Sequence, residues 1–346
     1  MEKETRKVVC SMKVRSTLVH EFLAKFGWHK AERELLAVDA SFRRYERLKL
    51  KGETAVLMDA PPPEEDVKPF IKITKHLLKL GYSAPKIFAH DIGSGLLLLE
   101  DFGDSTFTNA FAAGADENKL YKSAVDVLID LHCREPLESV PRDIEPYDNE
   151  KLIAEVMLFV DWYLKDQLGD NVQDELRDEF IEIWQELFSK HNFSNETLVL
   201  RDFHADNLMW LENRIGIQKC GLLDYQDAVR GHPAYDLMSL LEDARRDLQP
   251  SLINGLLDYY YSAIPGSDQK EFRNVYAILA AQRHCKVIGI FSRLAVRDGK
   301  CQYLVHIPRC WSLLEQVCLT PELALLKDWL NNNISPQIRA SSIQNV

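Results

Sequence analysis

The sequence predicts an α+β protein with two lobes, a small β-rich N-terminal lobe and a larger, mainly helical C-terminal lobe. Strand signals dominate residues 42–60 and 85–104, and one strongly periodic helix lies between them at 64–80. Beyond this region the periodicity is helical, apart from two short apolar strands within 198–224. Because strands and helices do not alternate regularly, the pattern favours an α+β fold over a parallel α/β sheet.

The N-terminal lobe begins with a predicted helix at 17–26, which ends near Gly27. Residues 42–50 and 54–60 are rich in strand formers and flank a Lys-Gly turn, which predicts a hairpin. Three prolines then end the strand, and residues 64–80 have apolar positions at helical spacing.

Residues 85–104 predict two further strands around Gly93-Ser94-Gly95. We therefore place the lobe boundary after residue 103, with a nucleotide-binding lobe at 1–103 and a catalytic and substrate-binding lobe at 104–346. The helices predicted in the second lobe are 118–133, 149–168, 172–190, 233–247, 250–264, 268–298, 301–318 and 321–332.

Composition excludes several classes of function. Of 346 residues, 42 are Lys or Arg and 53 are Asp or Glu, so the net charge is 42 − 53 = −11, which argues against a nucleic-acid-binding surface. The seven cysteines include no C-x-x-C pair, and no apolar run has the length of a signal peptide or membrane helix. We expect a cytoplasmic protein that binds neither nucleic acid nor membrane and needs no obligate protein partner.

Three oxygen-bearing side chains lie at the ends of the two short strands in 198-LVLRDFHADNLMWLENRIGIQKCGLLDYQDA-228. Asp202 and Asp224 each follow an apolar run, and Asn207 lies five positions after Asp202. Carboxylate and amide oxygens suit Mg²⁺, which takes few protein ligands and keeps its other positions for phosphates and water. A further carboxylate can accept the proton of an attacking hydroxyl. One base and two metal ligands are the minimum equipment for phosphoryl transfer.

The spacing agrees with the protein-kinase pattern R-D-x-x-x-x-N followed by an Asp on the next strand. Two alternatives compete with this interpretation. The aspartates could be solvated turn residues, or a set of His204, Asp206, Asp224 and Asp227 could bind the metal of a hydrolase. No second histidine falls at a ligand spacing for the hydrolase, and that alternative gives the N-terminal lobe no role.

Nearly the whole chain resembles the aminoglycoside phosphotransferase and choline kinase-like superfamily, whose fold is protein-kinase-like. The similarity lies in LRDFHADN and LLDYQD, and in 231-GHPAYDLMSLLEDARRD-247, whose Asp236 braces the catalytic loop in relatives. The resemblance implies ATP and Mg²⁺ as cofactors. It also implies Asp202 as the catalytic base and Asn207 and Asp224 as the metal ligands.

Within the superfamily, several strings are similar to the bacterial branch that phosphorylates the C1 hydroxyl of N-acetylmuramate or N-acetylglucosamine in cell-wall recycling. They include 41-SFRRYERL-48, 57-LMDAPPPEED-66 and 289-GIFSRLAVRDGK-300. This similarity implies a small-molecule amino sugar as the substrate.

The chain departs from the superfamily pattern at two positions. Leu200 stands where a histidine is usual, and in kinase folds that histidine is a structural brace. Met58 stands where a lysine would bind the α- and β-phosphates. Because the phosphates still need positive charge, Arg43 and Arg44 are the first candidates for the replacement, before Lys49 and Lys51.

The glycine-rich phosphate loop is also absent, and a stretch that includes Tyr45 occupies its place. We expect Arg43, Arg44 and Tyr45 to supply side-chain contacts to the nucleotide. The linker with Glu100 and Phe102 is expected to supply backbone contacts to adenine.

An acidic amino sugar needs hydrogen-bond partners and a cation for its carboxylate. On the helix predicted at 268–298, Gln282, Lys286 and Arg293 share one face at helical spacing, which indicates a substrate contact or a solvated basic face. His204 and Asp227 are further candidates for substrate binding. Two alternatives remain open, namely an aminoglycoside- or choline-type phosphotransferase and a catalytically inactive nucleotide-binding module.

Overall fold

The computed structural model describes residues 2–38, 42–169, 174–193, 196–264 and 268–340. The chain forms two compact units, each built from two segments. Unit 1 consists of Met1–Ala110 and Met209–Asp227, and unit 2 consists of Phe111–Leu208 and Ala228–Val346. Unit 1 is built around a sheet and unit 2 is mainly helical, so the predicted α+β class is confirmed.

The sheet of unit 1 has five antiparallel strands in the order β1-β2-β3-β5-β4. Its strands are β1 (Glu32–Val38), β2 (Arg44–Leu50), β3 (Glu53–Asp59), β4 (Ile87–Asp91) and β5 (Leu96–Leu99). The predicted hairpin is the pair β2–β3. Lys51 and Gly52 both have positive φ, of 52° and 87°, which is the backbone conformation of a tight hairpin turn. Strand β1 was not predicted.

Two helices complete the first segment of unit 1. Helix α1 (Glu2–Lys25) is longer than predicted, and its buried Val19 belongs to the core formed with the sheet. Helix α2 (Lys68–Leu80) begins four residues later than predicted, with Pro69 in its first turn, a position that tolerates the missing N–H. It ends as predicted at Gly81, whose left-handed φ of 91° terminates the helix.

Residues 197–231 form two strand pairs, whereas the sequence predicts one hairpin between Asn207 and Asp224, with a strand, a turn at Glu212-Asn213-Arg214 and a return strand. In unit 2, β6 (Thr197–Val199) pairs with β9 (Val229–Gly231), a pairing that the sequence did not predict. The predicted hairpin is confirmed as β7 (Leu208–Trp210) with β8 (Cys220–Leu222).

Unit 2 contains most of the helices that the sequence predicted, with some changes of boundary. Residues 149–168 are interrupted by a π-helical turn at Phe159–Leu164, and residues 172–173 lie outside the described part of the chain. The remaining helices of the chain are α3 (Phe107–Ala112), α4 (Glu117–His132), α5 (Pro136–Ser139), α6 (Asn149–Val156), α7 (Lys165–Leu168), α8 (Asp174–Lys190), α9 (Ala234–Leu241), α10 (Pro250–Ala263), α11 (Gln269–Asp298), α12 (Ile307–Val317), α13 (Ala324–Asn333) and α14 (Pro336–Ala340). None of the helices described is long and apolar enough to cross a membrane.

Helix α11 is the central element of unit 2, and ten consecutive residues, 277–286, are buried. Burial on all sides shows that protein surrounds this segment of the helix. Gly289 lies one turn further on, where the helix meets the backbone of Leu158 and Phe159. A Cβ atom at Gly289 would come closer than 3.0 Å to both residues, so the close approach requires a glycine.

We expect Gly289→Ala to destabilise the protein by about 1–3 kcal/mol, because the added methyl group forces apart two backbone segments that cannot yield like a side chain. Gly255→Ala in α10 is the matched control, since a Cβ there meets nothing within 4 Å. The control should be neutral or more stable by about 0.5–1 kcal/mol, as alanine favours a helix over glycine. Denaturant unfolding measures both, and equal stabilities for the two variants would contradict the close packing at Gly289.

Candidate active site

The catalytic loop predicted from sequence begins directly after β6, and Asp236 of α9 holds its backbone. The Asp236 carboxylate accepts hydrogen bonds from the Leu200 N–H at 2.6 Å and from the Arg201 N–H at 2.9 Å. Arg201 has a φ of 70°, a conformation that costs energy in a residue with a side chain and concentrates at functional sites. Burial raises the pKa of Asp236 to about 7, although both N–H donors act in the opposite direction.

Asp202 follows this strained residue and presents a carboxylate that other molecules can reach. Its side chain retains 40% of its exposure, and its Oδ1 lies 3.4 Å from Nη2 of Arg283. Desolvation raises the pKa of Asp202, but the opposing effect of the positive charges on Arg283 and Lys286 is larger. The net result is a pKa lowered to about 2. The carboxylate is therefore ionised at neutral pH and can accept a proton from a hydroxyl group.

Arg283 is a site residue that sequence reasoning missed. Its Nη1 donates to the Arg201 carbonyl at 3.0 Å and to the Tyr235 hydroxyl at 3.2 Å, while its Nη2 faces Asp202. The sequence analysis selected Gln282 because it shares one helix face with Lys286 and Arg293. The next residue, Arg283, was left out because successive helical residues point about 100° apart. That reasoning fails for a helix segment that is buried on every side.

A short 3₁₀ turn, Ala205–Asn207, completes the loop. The Asn207 Nδ2 donates to the Asp202 carbonyl at 3.0 Å and lies 3.3 Å from Nε2 of His204. His204 is buried, with 6% of its surface exposed, and desolvation lowers the pKa of its imidazole. The structure thus brings three of the predicted residues together in one loop.

Glu155 of α6 forms the centre of an ionic cluster behind the loop. Its carboxylate pairs with Nζ of Lys286 at 3.0 Å and with the guanidinium of Arg201, and it accepts a hydrogen bond from the Tyr147 hydroxyl. Burial raises the pKa of Glu155, but Lys286 and Arg201 lower it more, so the group is held ionised. Sequence reasoning missed Glu155 because nothing local distinguishes it from other helix-surface glutamates.

The three polar residues predicted to line α11 occupy different environments. Gln282 is fully buried and donates to the Leu152 carbonyl at 3.1 Å. Lys286 is buried in the Glu155 cluster, so neither residue belongs to a solvated basic face. Arg293 lies two turns further on and is half-buried, and desolvation lowers its pKa.

In unit 1, Arg43 lies between two carboxylates. Its Nη1 is 3.3 Å from Oδ1 of Asp224, and its Nε is 3.6 Å from Oε2 of Glu65. The Arg43 side chain is 10% exposed, so these charges interact with less screening than a surface pair. The structure thus joins Arg43 to Asp224, two residues that sequence reasoning had assigned to separate roles.

The neighbours of Arg43 on β2 are less enclosed. Arg44 is exposed at the start of the strand, and Tyr45 is half-buried. Tyr45 pairs with Met58 on β3, so the position that lacks the lysine lies in the middle of the sheet. The Met58 side chain is buried, with 1% exposure.

Asp224 follows β8 with a φ of 55°, another left-handed conformation in a residue with a side chain. Its Oδ1 accepts a hydrogen bond from Nε2 of Gln226 at 2.9 Å. The same amide donates to Asp227 at 3.2 Å, and Asp227 is exposed.

The predicted linker residues Glu100 and Phe102 both contact Arg214 of the β7–β8 hairpin. Nη2 of Arg214 lies 2.6 Å from Oε1 of Glu100, and its guanidinium stacks over the Phe102 ring at 4.9 Å. Between them, Asp101 accepts two hydrogen bonds from Arg47, at 2.7 and 3.1 Å. The linker is therefore held by its side chains and by the Glu100 N–H, which donates to the Lys86 carbonyl at 2.8 Å.

The described residues contain no group of three or more His, Cys, Asp and Glu side chains that could hold a metal ion without other ligands. Carboxylate and amide oxygens, the donor types that sequence reasoning proposed, are those that suit a Mg²⁺ ion with substrate and water as its other ligands. The Asn207 nitrogen is engaged within the loop, so its amide oxygen is the atom that would face a metal.

All six described cysteine side chains are free thiols.

The loop around Asp202 and the sheet with Arg43 define the class of protein as a phosphotransferase with a protein-kinase-like fold. The chain belongs to the Phosphotransferase enzyme family, which matches residues 32–273. Solved structures share the fold. A choline kinase from Streptococcus pneumoniae has a TM-score of 0.62 at 13% identity, covering 87% of this chain and 99% of its own. An ADP-bound aminoglycoside phosphotransferase has a TM-score of 0.57 at 19% identity, covering 86% of this chain and 96% of its own.

Two enzymes are more similar to this chain in sequence than these solved structures are. The N-acetylmuramate/N-acetylglucosamine kinase of Caulobacter vibrioides is 34% identical, over 92% of this chain and 96% of the relative. The enzyme of the same name from Pseudomonas aeruginosa is 36% identical, over 91% of this chain and 93% of the relative. The predicted superfamily and branch are therefore confirmed as the chain's relatives.

We expect Arg283→Gln to make phosphotransferase activity more sensitive to acid. Removing a positive charge 3.4 Å from Asp202 raises the pKa of that carboxylate, so the ionised base is lost at higher pH. The acidic limb of the kcat/KM profile should move upward by about 1–3 pH units. Arg273→Gln, at an exposed position of the same helix, is the control and should leave the profile unchanged. Coincident acidic limbs for Arg283→Gln and the wild type would contradict this role.

Proposed function

We propose that the protein is a cytoplasmic, ATP-dependent kinase that transfers the γ-phosphate to the anomeric C1 hydroxyl of N-acetylmuramate or N-acetylglucosamine, in cell-wall recycling. The observation that carries the proposal is the Asp202 carboxylate, which is ionised, 40% exposed and held beside Arg283. The names of the similar relatives support this choice of sugar.

In this proposal Asp202 accepts the proton of the C1 hydroxyl while that oxygen bonds to the γ-phosphorus and the ADP oxygen departs. A strong base is not required, because phosphoryl transfer depends mainly on position and charge neutralisation. The low pKa of Asp202 ensures that the carboxylate is ready to accept and orient the hydroxyl. Arg283 orients Asp202 and stabilises its ionised form.

Asn207 and Asp224 are the proposed Mg²⁺ ligands, through the amide oxygen and a carboxylate oxygen. When bound, the ion supplies the positive charge that the β- and γ-phosphates need as the leaving group departs. The left-handed backbone at Asp224 and the amide contact from Gln226 set the direction of that carboxylate.

Arg43 is the proposed replacement for the lysine that is absent at Met58. It is buried, it lies 3.3 Å from Asp224, and Glu65 orients it from the opposite side. Arg44 and Tyr45 are proposed as secondary contacts to the nucleotide.

The backbone beside Glu100 and Phe102 is proposed to bind adenine, since the side chains of both residues are engaged with Arg214. Two peptide N–H groups of the linker are already engaged, since Glu100 donates to the Lys86 carbonyl at 2.8 Å and Gly103 donates to the Asp101 carboxylate at 2.9 Å.

Residues proposed for the sugar are His204, Asp227, Gln282, Lys286 and Arg293. Arg201, Arg283 and Lys286 concentrate positive charge around Asp202, which suits an acceptor with a carboxylate. The same charges disfavour a cationic acceptor such as an aminoglycoside or choline.

Parallel assays test the function directly. Purified protein with ATP and Mg²⁺ should phosphorylate N-acetylmuramate or N-acetylglucosamine, and phosphorus NMR should place the phosphate on C1. Kanamycin and choline should give no turnover. Turnover of kanamycin or choline alone, or binding of ATP without transfer to any acceptor, would refute the proposal.

We expect Asp202→Asn to lower kcat by about 10²–10⁴, because an amide cannot take the hydroxyl proton. Asp206→Asn, directly before Asn207 in the same turn, is the matched control and should retain kcat, since Asp206 faces Arg245 at 3.6 Å. The hydrolase alternative makes the opposite prediction, because it uses Asp206 as a metal ligand. Steady-state kinetics at saturating ATP measure both variants, and a kcat near the wild-type value for Asp202→Asn would remove the residue from this role.

We expect Arg43→Ala to raise the KM for ATP by about 10- to 100-fold, the cost of losing a charge-assisted contact. Arg44→Ala is the matched comparison on the adjacent, exposed position and should raise it less. The KM for the sugar should change little in either variant. A larger effect at Arg44 than at Arg43 would assign the replacement cation to Arg44.

A further inference from the structure

The imidazole of His204 is buried within the catalytic loop. The residue is 6% exposed, and among the described residues its Nδ1 has no hydrogen-bond partner. A buried polar atom without a partner costs free energy and requires an explanation. His204 lies in the loop between Asp202 and Asn207, two positions after the proposed base.

The surrounding contacts determine which ring nitrogen holds the proton. The Asn207 atom facing the Asp202 carbonyl at 3.0 Å must be the amide nitrogen, because a carbonyl oxygen only accepts. The same nitrogen lies 3.3 Å from Nε2 of His204, so Nε2 accepts the second amide hydrogen. The ring hydrogen is therefore on Nδ1, and it would also be there if the ring were doubly protonated.

A single buried N–H next to a base suits one kind of partner. It needs an oxygen that accepts a hydrogen bond, and it carries little of the charge that a phosphoryl group requires. In an amino sugar two such oxygens lie near the C1 hydroxyl and carry no proton of their own, the ring oxygen and the acetamido carbonyl. Either would satisfy Nδ1 while the C1 hydroxyl faces Asp202.

We propose that the Nδ1–H of His204 donates a hydrogen bond to a proton-free oxygen of the sugar, and so orients the C1 hydroxyl toward Asp202. This inference rests on the proposed function and specifies one contact of its substrate site. The Nε2 atom of the same ring contacts Asn207, so one side chain links the acceptor to the loop.

Two substitutions separate this role from a structural one. In His204→Asn the amide nitrogen occupies about the position of Nδ1 and the contact to Asn207 is lost. In His204→Gln the amide lies near the position of Nε2 and the Nδ1 donor is lost. We expect His204→Gln to raise the KM for N-acetylglucosamine by about 10- to 100-fold and His204→Asn to raise it several-fold less. If His204 only braces Asn207, the order of the two variants reverses, and that order would overturn the proposal.

The nucleotide provides the second readout. The KM for ATP should change less than threefold in His204→Gln. If it rises as much as the KM for the sugar, the partner is a phosphoryl oxygen and the proposal is wrong. Thermal unfolding of both variants shows whether each is folded, and direct binding of N-acetylglucosamine by calorimetry replaces KM if a variant loses turnover.

Glucose identifies which sugar oxygen is the partner, because it keeps the ring oxygen and lacks the acetamido group. The inhibition constant of glucose against N-acetylglucosamine phosphorylation should rise in His204→Gln if the ring oxygen is the partner. If it is unchanged while the KM for N-acetylglucosamine rises, the partner is the acetamido carbonyl, and both results support the proposal. A wild-type protein that phosphorylates no sugar would refute the proposed function, whereas an active wild type with an unimpaired His204→Gln variant refutes only this inference.

Discussion

The site in unit 2 depends on one buried carboxylate, Asp236. It holds the N–H groups of Leu200 and Arg201, and this pair of hydrogen bonds fixes the left-handed turn from which Asp202 projects. Burial of a carboxylate is costly, and the raised pKa of Asp236 reflects that cost. Two backbone donors, with Arg283 donating to the Arg201 carbonyl on the other side, offset it. The brace acts through the backbone, so a leucine at position 200 is compatible with it.

The Glu155 cluster extends this constraint into the surrounding helices. Glu155 belongs to α6, Arg201 to the loop and Lys286 to α11, so one carboxylate connects three segments. Buried ion pairs of this kind often add little net stability, because desolvation offsets their attraction. Their effect here is geometric, since the Arg201 and Lys286 pairs join the catalytic loop and α11 to the same carboxylate. The loop therefore has a fixed position relative to the helix that carries Arg283.

Unit 1 shows how a kinase-like sheet can lack its usual lysine. Met58 is buried in the middle of the sheet, where an ammonium group would need a partner carboxylate. Arg43 is the cation proposed in its place, directly before β2, and it lies 3.6 Å from Glu65 and 3.3 Å from Asp224. The planar guanidinium of an arginine suits phosphate oxygens, which is why the proposal gives this role to Arg43.

Local sequence patterns predicted the elements of this protein better than its contacts. The β2–β3 and β7–β8 hairpins and helix α11 follow from turn residues and periodicity, whereas no local signal indicates that β6 pairs with β9, because no tight turn connects these two strands. The residues around Asp202 were missed for the same reason. Arg283 lies 81 positions from Asp202, and Glu155 lies 46 positions from Arg201. A helical wheel separates a solvent face from a core face, but α11 has protein on all sides near Arg283. The charge of Arg283 indicates a role in the site only when its partner, Asp202, is known, and only the folded structure brings these two residues together.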